Sequence, residues 1–299
     1  MYNGIINVYK EKGFTSHDVI AKLRGILKQK KIGHTGTLDP DAAGVLPVCL
    51  GSGTRLCDTL TDKSKEYRAV MLLGVITDTE DITGKIIEEH EPVTDEKKIK
   101  DIILSFVGEY SQIPPMYSAL KVNGRKLYEL AREGLVIERK PRDVFIESIE
   151  IEKIDFPRVT FKVKCSKGTY IRSLCRDIGE KAGCGACMES LIRTRVSNFE
   201  IEQAHTLDEI ERMVNSGEIK DIIVPVDSCF KEYDSIVVSG RNEMLVRNGN
   251  PFKEEKKGTG LVRVYFWGEC NNQFAGIYRY DNNNDIYKPE KMFLSQEKK

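Results

Sequence analysis

Strand-type and helix-type patterns follow one another along this chain without a regular β-α-β beat, so an α+β fold suits it better than a doubly wound sheet. Residues 4–9 read as a strand. Thr15 or Ser16 can cap the helix that follows, whose Val19, Ile20, Leu23, Ile26 and Leu27 share one face. Val45–Leu50 and Tyr67–Ile76 read as strands, and Thr94 starts a helix through Phe106. Pro114 and Pro115 block regular structure in 110–121, and Leu127–Arg132 is a short helix. Val144–Ile154 and Val159–Cys165 form a hairpin pair, and Thr169–Lys181 is a helix capped by Thr169. A boundary near Val226–Tyr233 splits the chain into domains of residues 1–230 and 231–299. The second holds a helix at Asn242–Val246, strands at Leu261–Trp267 and Phe274–Tyr280, and an Asp281–Asp285 turn, which together make a small β-rich appendage. The tail Gln296–Lys299 is read as frayed.

The chain has 299 residues, and no apolar run nears the about 20 residues that span a bilayer. Its start lacks the layout of a signal peptide, so a cytoplasmic location and no membrane partner are expected. Eight scattered cysteines do not suit a disulfide framework and are read as reduced; Cys184 and Cys187 have no second pair at zinc-ribbon spacing. Lys plus Arg equals Asp plus Glu at 46 each, so only local charge is informative. Residues 158–195 hold nine Lys/Arg against three Asp/Glu, which suggests a basic face on a neutral molecule and an anionic partner.

Gly33-His34-Thr35-Gly36-Thr37-Leu38-Asp39-Pro40 is loop composition around one acid. Two glycines supply backbone freedom and Pro40 fixes the chain after Asp39, so the loop presents a single carboxylate rigidly. An ordinary Asp-Pro turn would look the same in isolation. Tyr67 opens a strand and can lay its ring on a base. Tyr170 and Arg172 sit at a helix start, where Arg172 can clamp a phosphate or hold a buried carboxylate. Leu191-Ile192-Arg193-Thr194-Arg195 is basic beside an apolar strand. His17, His34, His90 and His205 lack metal-ligand spacing, and no phosphate-loop or dinucleotide motif is present, so no metal and no cofactor are expected. What remains is a lone carboxylate acting as nucleophile or electrostatic stabiliser, for instance at a sugar carbon.

These segments, together with Gly44–Pro47, Gly51–Arg55, Lys65–Tyr67, Gln112–Lys121 and Ser166–Arg172, resemble bacterial tRNA pseudouridine-55 synthases, the TruB family, over about residues 3–230. The resemblance implies a pseudouridine-synthase-like mixed, mainly antiparallel sheet flanked by helices. It also implies an isomerase that converts one T-loop uridine of tRNA to pseudouridine without cofactor or metal. By position Asp39 matches the catalytic aspartate, Tyr67 the tyrosine on the target base, Arg172 the aspartate's partner, and Tyr170 and Leu191 the pocket around the flipped uridine. His34 matches the histidine that fills the gap left in the RNA. Lys10, Lys121, Arg125, Lys126 and Arg193 are expected to contact RNA, and residues 110–135 to close over it. Tyr9-Lys10-Glu11 replaces the family's Asp-Lys-Pro, and Leu191-Ile192-Arg193 its Leu-Arg-Arg, which removes one basic residue. The C-terminal segment resembles a PUA-like RNA-binding domain, and a monomer that binds the tRNA T-arm is expected. A guide-RNA-dependent relative and a non-catalytic tRNA-binding helper remain as rival readings.

Overall fold

The computed structural model describes residues 1–268 and 272–294. Cys270 and the tail Gln296–Lys299 lie outside the described residues. A ten-stranded sheet forms the body. Its strands are β1 (Gly4–Lys10), β2 (Ile32–His34), β3 (Ala43–Leu50), β4 (Lys65–Leu73), β5 (Gly108–Gln112), β6 (Arg142–Asp155), β7 (Arg158–Cys165) and β8 (Ala186–Val196), with the two-residue strands Phe199–Glu200 and Ile223–Val224. Across the sheet the order runs Ile223–Val224, β1, β3, β8, β4, β7, β6, β5, with β2 beside β3. Neighbours are antiparallel except β3 and β8, which meet in parallel at Ala43–Ile192 and Gly44–Arg193.

Besides a five-residue helix at Cys57–Thr61, the helices are α1 (Ser16–Ile26), α2 (Glu96–Leu104), α3 (Leu127–Arg132), α4 (Ile171–Ala182), α5 (Leu207–Ser216) and α6 (Gly240–Arg247). Their apolar stripes decide where they pack. Ile99 and Ile103 of α2 and Leu174 and Ile178 of α4 bury against Ala69, Met71, Phe161 and Val163 of the sheet. Val19, Ile20 and Leu23 of α1 join Leu207 and Ile210 of α5 over β1 and β3. A second sheet of β9 (Asp234–Val238), β10 (Leu261–Phe266), β11 (Gln273–Asp281) and β12 (Ile286–Met292) has its own core around Val262, Val264, Tyr278 and Tyr287. Ile277 and Phe293 of this unit pack with Phe230, Val45 and Ile5, so the two sheets share an apolar seam. Residues 116–137 hold a small cluster of their own, Met116, Leu127 and Leu130. Among the described residues no helix is long and apolar enough to cross a membrane.

Several details differ from the sequence reading. The strand expected over Tyr67–Ile76 starts at Lys65 and stops at Gly74, whose φ of +87° turns the chain into a hairpin of Val75–Thr77 and Ile86–Glu89. Asp95, not Thr94, caps α2 by accepting from the Lys98 amide at 3.0 Å. Thr169 does not cap α4; its hydroxyl donates back to the Ser166 carbonyl, which leaves Tyr170 at the cap position. Strand β8 was legible only as an apolar neighbour of Arg193, because two register shifts break its alternation.

The basic face expected from residues 158–195 is also corrected. Arg158 pairs with Glu189, Lys162 with Glu152, Lys164 with Glu147, Lys167 with Asp62, Arg176 with Glu80 and Asp177, and Arg195 with Glu66. Arg172 and Arg193 are buried, and Lys181 lies over the Phe106 ring. Cross-strand neighbours supply the acids that the linear segment lacks.

Gly44 is the tightest point between β3 and β8. It holds a φ of +109°, and a Cβ there would lie 2.2 Å from the Arg193 carbonyl oxygen. Gly44→Ala is expected to cost about 2–3 kcal/mol from backbone strain and overpacking, read as a lower urea midpoint at unchanged m-value.

Candidate active site

The Asp39 loop is pinned from both flanks. At the entry of α1, Thr15 and Asp18 form a capping box, which frees the Ser16 hydroxyl to accept from the Leu38 amide at 2.9 Å. The Gly13 amide donates to the Pro40 carbonyl at 2.9 Å, and the Asp39 carbonyl accepts from Ala42 at 3.1 Å. Lys10 and Arg193 complete the brace from below. Lys10 Nζ reaches the Pro40 carbonyl at 3.1 Å and the Glu11 carbonyl at 3.0 Å. Arg193 donates to the carbonyls of Val45 at 2.7 Å, Gly36 at 3.2 Å and Thr37 at 3.4 Å.

Both residues were expected to contact RNA, and the structure corrects this. Lys10 has no exposed surface and Arg193 has 1%. They offer a phosphate nothing to touch; they are structural cations that hold the loop by its carbonyls. Burial pushes the Lys10 ammonium down to about 8 and lowers Arg193 as well.

Above this brace Arg172 grips Asp39. Its Nε lies 3.0 Å from Oδ2, and its Nη2 donates to Oδ1 at 3.2 Å. The side-on, two-point geometry fixes both the distance and the plane of the carboxylate. The remaining donors are also occupied. Nη1 donates to the Thr79 carbonyl at 3.1 Å and faces Asp81 at 3.7 Å, while Nη2 also reaches the Tyr117 carbonyl at 2.9 Å. Arg172 is thus buried with every edge matched, whereas the Asp39 side chain keeps 39% of its surface open. Desolvation by the surrounding walls raises the Asp39 pKa, and the Arg172 charge opposes that rise.

The walls are apolar or aromatic. Leu38, Ala42, Tyr67, Ile171 and Leu191 belong to one buried cluster. Tyr67 stands opposite Arg193 across β4 and β8, and burial pushes its hydroxyl up to about 12, so it stays protonated and can donate. Tyr170 is half-buried at the mouth, where α4 begins without a side-chain cap. Gln112 supplies what the cap lacks. Its Oε1 accepts from the Tyr170 amide at 2.8 Å, its Nε2 donates to the Tyr170 carbonyl at 3.0 Å, and it is itself 1% exposed. The structure therefore brings Tyr67 and Tyr170 within electrostatic reach of Asp39, Tyr170 within reach of Arg172 as well, and Leu191 into the same buried cluster as Tyr67.

The other expected residues sit further out. His34 is half-buried at the loop's entry, where its Nδ1 accepts from the Gly36 amide at 3.3 Å; burial lowers its pKa, which favours the neutral ring. Lys121, Arg125 and Lys126 ride a two-residue hairpin beyond Tyr117. Arg125 pairs with Glu133 and Lys126 donates to the Tyr128 hydroxyl at 3.2 Å, and no bond joins these cations to Asp39 or Arg172 among the described residues. Asp81 and Gln112 were missed. Asp81 was given no role from the sequence, though Gly84 marks a turn close by. Gln112 entered only as the first residue of the Gln112–Lys121 resemblance, with no role of its own, since an amide two residues before Pro114 reads as loop. Among the described residues no group of three or more metal-ligating side chains occurs.

Two outcomes test this geometry. A carboxyl-carbon NMR titration should place the Asp39 midpoint above that of an ordinary aspartate, and Arg172→Met should move it higher still, because the cation that favours ionisation is gone. Since the folded state holds this proton more tightly than the unfolded one, stability from this group grows as pH falls through the raised midpoint. Gln112→Ala should speed hydrogen exchange of the Tyr170 amide at least tenfold while exchange in the middle of α4 stays as it was; equal protection at Tyr170 would contradict the clamp.

Comparison with known proteins agrees with this architecture. Residues 24–171 match the TruB family pseudouridylate synthase N-terminal domain, and residues 172–231 match the tRNA pseudouridylate synthase B C-terminal domain. A tRNA pseudouridine synthase B of Lachnoclostridium phytofermentans is 53% identical, covering 98% of this chain and 100% of that protein. The protein of the same name in Clostridium kluyveri is 44% identical over the same shares of both chains. Among solved structures, a chain of an H/ACA RNP bound to a substrate RNA containing 2'-deoxyuridine superposes with a TM-score of 0.71 at 26% identity, covering 98% of this chain and 86% of that one. A chain of a Cbf5-Nop10-Gar1 complex gives 0.70 at 27% identity, covering 98% and 85%. With two family domains end to end, full-length relatives and the same fold, the chain belongs to the TruB family of pseudouridine synthases.

Proposed function

We propose that this enzyme isomerises the uridine at position 55 in the T-loop of tRNA, with Asp39 as the catalytic carboxylate and no cofactor. The observation that carries the reading is the two-point pairing of a half-open Asp39 with a fully matched, buried Arg172, beside the apolar cluster of Leu38, Ala42, Ile171 and Leu191. A uracil stacked in a folded loop is out of reach, so it must be flipped out, at roughly a few kcal/mol. Tyr67 and Tyr170 then hold the base, with Leu191 beneath it, and His34 occupies the space left in the RNA. The isomerisation breaks the bond from N1 to C1', turns the uracil, and joins C5 to C1'. The proton leaves C5 and N1 gains one, so atoms balance without redox chemistry. Whether the carboxylate attacks the sugar, attacks the base or takes a proton, each route needs it ionised and held at the glycosidic bond. Arg172 serves both needs, and the Lys10 charge adds to the field. An apolar wall of Leu38, Ile171 and Leu191 limits water, which would otherwise release free uracil.

Residues 110–135 close over the RNA in this reading. Their separate cluster lets them move as a unit, and their link to Arg172 through the Tyr117 carbonyl ties that movement to the pocket. The unit from residue 231 onward adds RNA contacts, and the enzyme works as a cytoplasmic monomer. The H/ACA chain that superposes on this one sits in a ribonucleoprotein; here the lone chain is expected to act on a bare tRNA transcript.

The test is mass-labelled mapping of pseudouridine in tRNA transcript after incubation with the chain alone. The wild type should modify position 55. Asp39→Asn should form no product yet bind the transcript within about threefold of wild type. Product from Asp39→Asn would remove the aspartate from its role, and product at another site would overturn the T-loop assignment.

A further inference from the structure

With the cations of 158–195 neutralised and Lys10 and Arg193 buried, the question is where uncompensated positive charge remains. Among the described residues, one such group runs from the second half of α1 into the turn beyond it, where no acid interrupts it. From Val19 to Leu38 the chain has no Asp or Glu, and Lys22, Arg24, Lys28, Lys30 and Lys31 are all exposed. None of the five takes part in an ion pair among the described residues.

This array is built, not frayed. Gln29, 7% exposed, turns inward: its Oε1 accepts from the Tyr2 amide at 2.7 Å and its Nε2 donates to the Tyr2 carbonyl at 3.0 Å. The Lys31 carbonyl accepts from Gly51 at 2.9 Å, and Arg24 Nε donates to the Lys30 carbonyl at 3.1 Å. These bonds fix the turn and leave the Lys28, Lys30 and Lys31 side chains outside. Lys28 occupies the left-handed position just past the helix, with φ +49°, where glycine is ordinarily found. A lysine there costs about 1 kcal/mol that glycine would avoid. Favourable interaction with the helix dipole accounts for Arg24 and Lys28 but not for Lys30 and Lys31, which lie beyond the last turn.

The position relative to the site is also defined. α1 starts against the Asp39 loop, where Ser16 bonds Leu38, and runs away from it. At 1.5 Å per residue its 11 residues span about 16 Å, which carries its far end several nucleotides away from the Asp39 loop. A contact there falls on the helical stem of an RNA arm, not on the nucleotide in the pocket. On the other side α1 packs against α5, which carries Asp208, Glu209 and Glu211 and repels a phosphate backbone.

We propose that the Lys22–Lys31 surface binds the sugar-phosphate backbone of the double-helical stem whose loop enters the Asp39 pocket. It contributes affinity without sequence preference, through Lys28, Lys30 and Lys31 above all. The proposal rests on the RNA-modifying reading given above and adds a second, remote contact to it.

The test compares Lys28→Glu/Lys30→Glu/Lys31→Glu with a charge-matched control, Lys85→Glu/Lys97→Glu/Lys153→Glu, and with wild type. Binding is measured by fluorescence anisotropy over a salt series, for a T-arm stem-loop and for a single-stranded oligonucleotide of the loop sequence. The first variant should bind the stem-loop at least tenfold more weakly than the control, with a log–log salt slope shallower by about two to three. Its affinity for the loop oligonucleotide should match the control within twofold. Equal stem-loop affinity and slope in the two variants would overturn the proposal, as would equal losses for stem-loop and loop. Wild type that fails to bind the stem-loop would bring down the RNA reading itself, which separates the two failures. Lys30→Glu alone, at one exposed side chain, guards against a folding defect and should show about a third of the slope change.

Discussion

Everything at the site depends on one arginine that has no donor to spare. Arg172 spends two edges on Asp39 and the rest on Thr79, Asp81 and Tyr117. A buried guanidinium with unmatched N–H groups would be costly, so each partner is needed to keep the residue where it is. The balance between burial and this pairing sets the state of Asp39. Burial raises the carboxyl's affinity for its proton and the Arg172 charge opposes that rise, and a fully exposed pair would be screened and loosely oriented. Half-open, the acid stays accessible and still oriented.

The aim also needs a floor. Arg193 and Lys10 hold the loop by its carbonyl oxygens rather than by its acid. The choice makes chemical sense, because a cation paired with a carbonyl leaves the carboxylate uncommitted. It also places two further positive charges beneath Asp39 and explains why Gly44 must lack a side chain: β3 and β8 come close enough there for Arg193 to reach over the strand. A single local constraint thus connects strand pairing, loop shape and the field at the acid.

Much of this was legible in the residues. The sequence pattern gave β1 and β3 as short apolar runs, α1 by its apolar face and β7 by its clean alternation, with β6 found as its hairpin partner. The glycines and proline around Asp39 announced a rigid loop, and Arg172 was visible as a partner for it. What escaped was whatever depended on who sits opposite whom. Arg193 looked like a surface cation, since a strand that carries Arg193 and Arg195 does not reveal that the first points into the core and the second toward Glu66. Gln112 clamps a backbone 58 residues away, and Asp81 meets Arg172 from a different hairpin. Long-range pairing of this kind leaves no periodic trace.

The same reasoning explains how a neutral chain can present a cationic surface. Charge counted along a strand is misleading, because a strand's neighbours in the sheet are distant in sequence and can offset it, as Glu152 offsets one of the two charges of Arg68 and Lys162. Charge counted along a helix end and its turn is more trustworthy, because the cations there project away from any partner strand. The turn after α1 meets that condition, with a buried amide holding it and no acid in twenty residues. Neutrality of the whole is then not at odds with an anionic partner: on the sheet opposite charges are consumed in pairs, while the acid-free run from Val19 to Leu38 gathers five exposed cations on one helix and its turn.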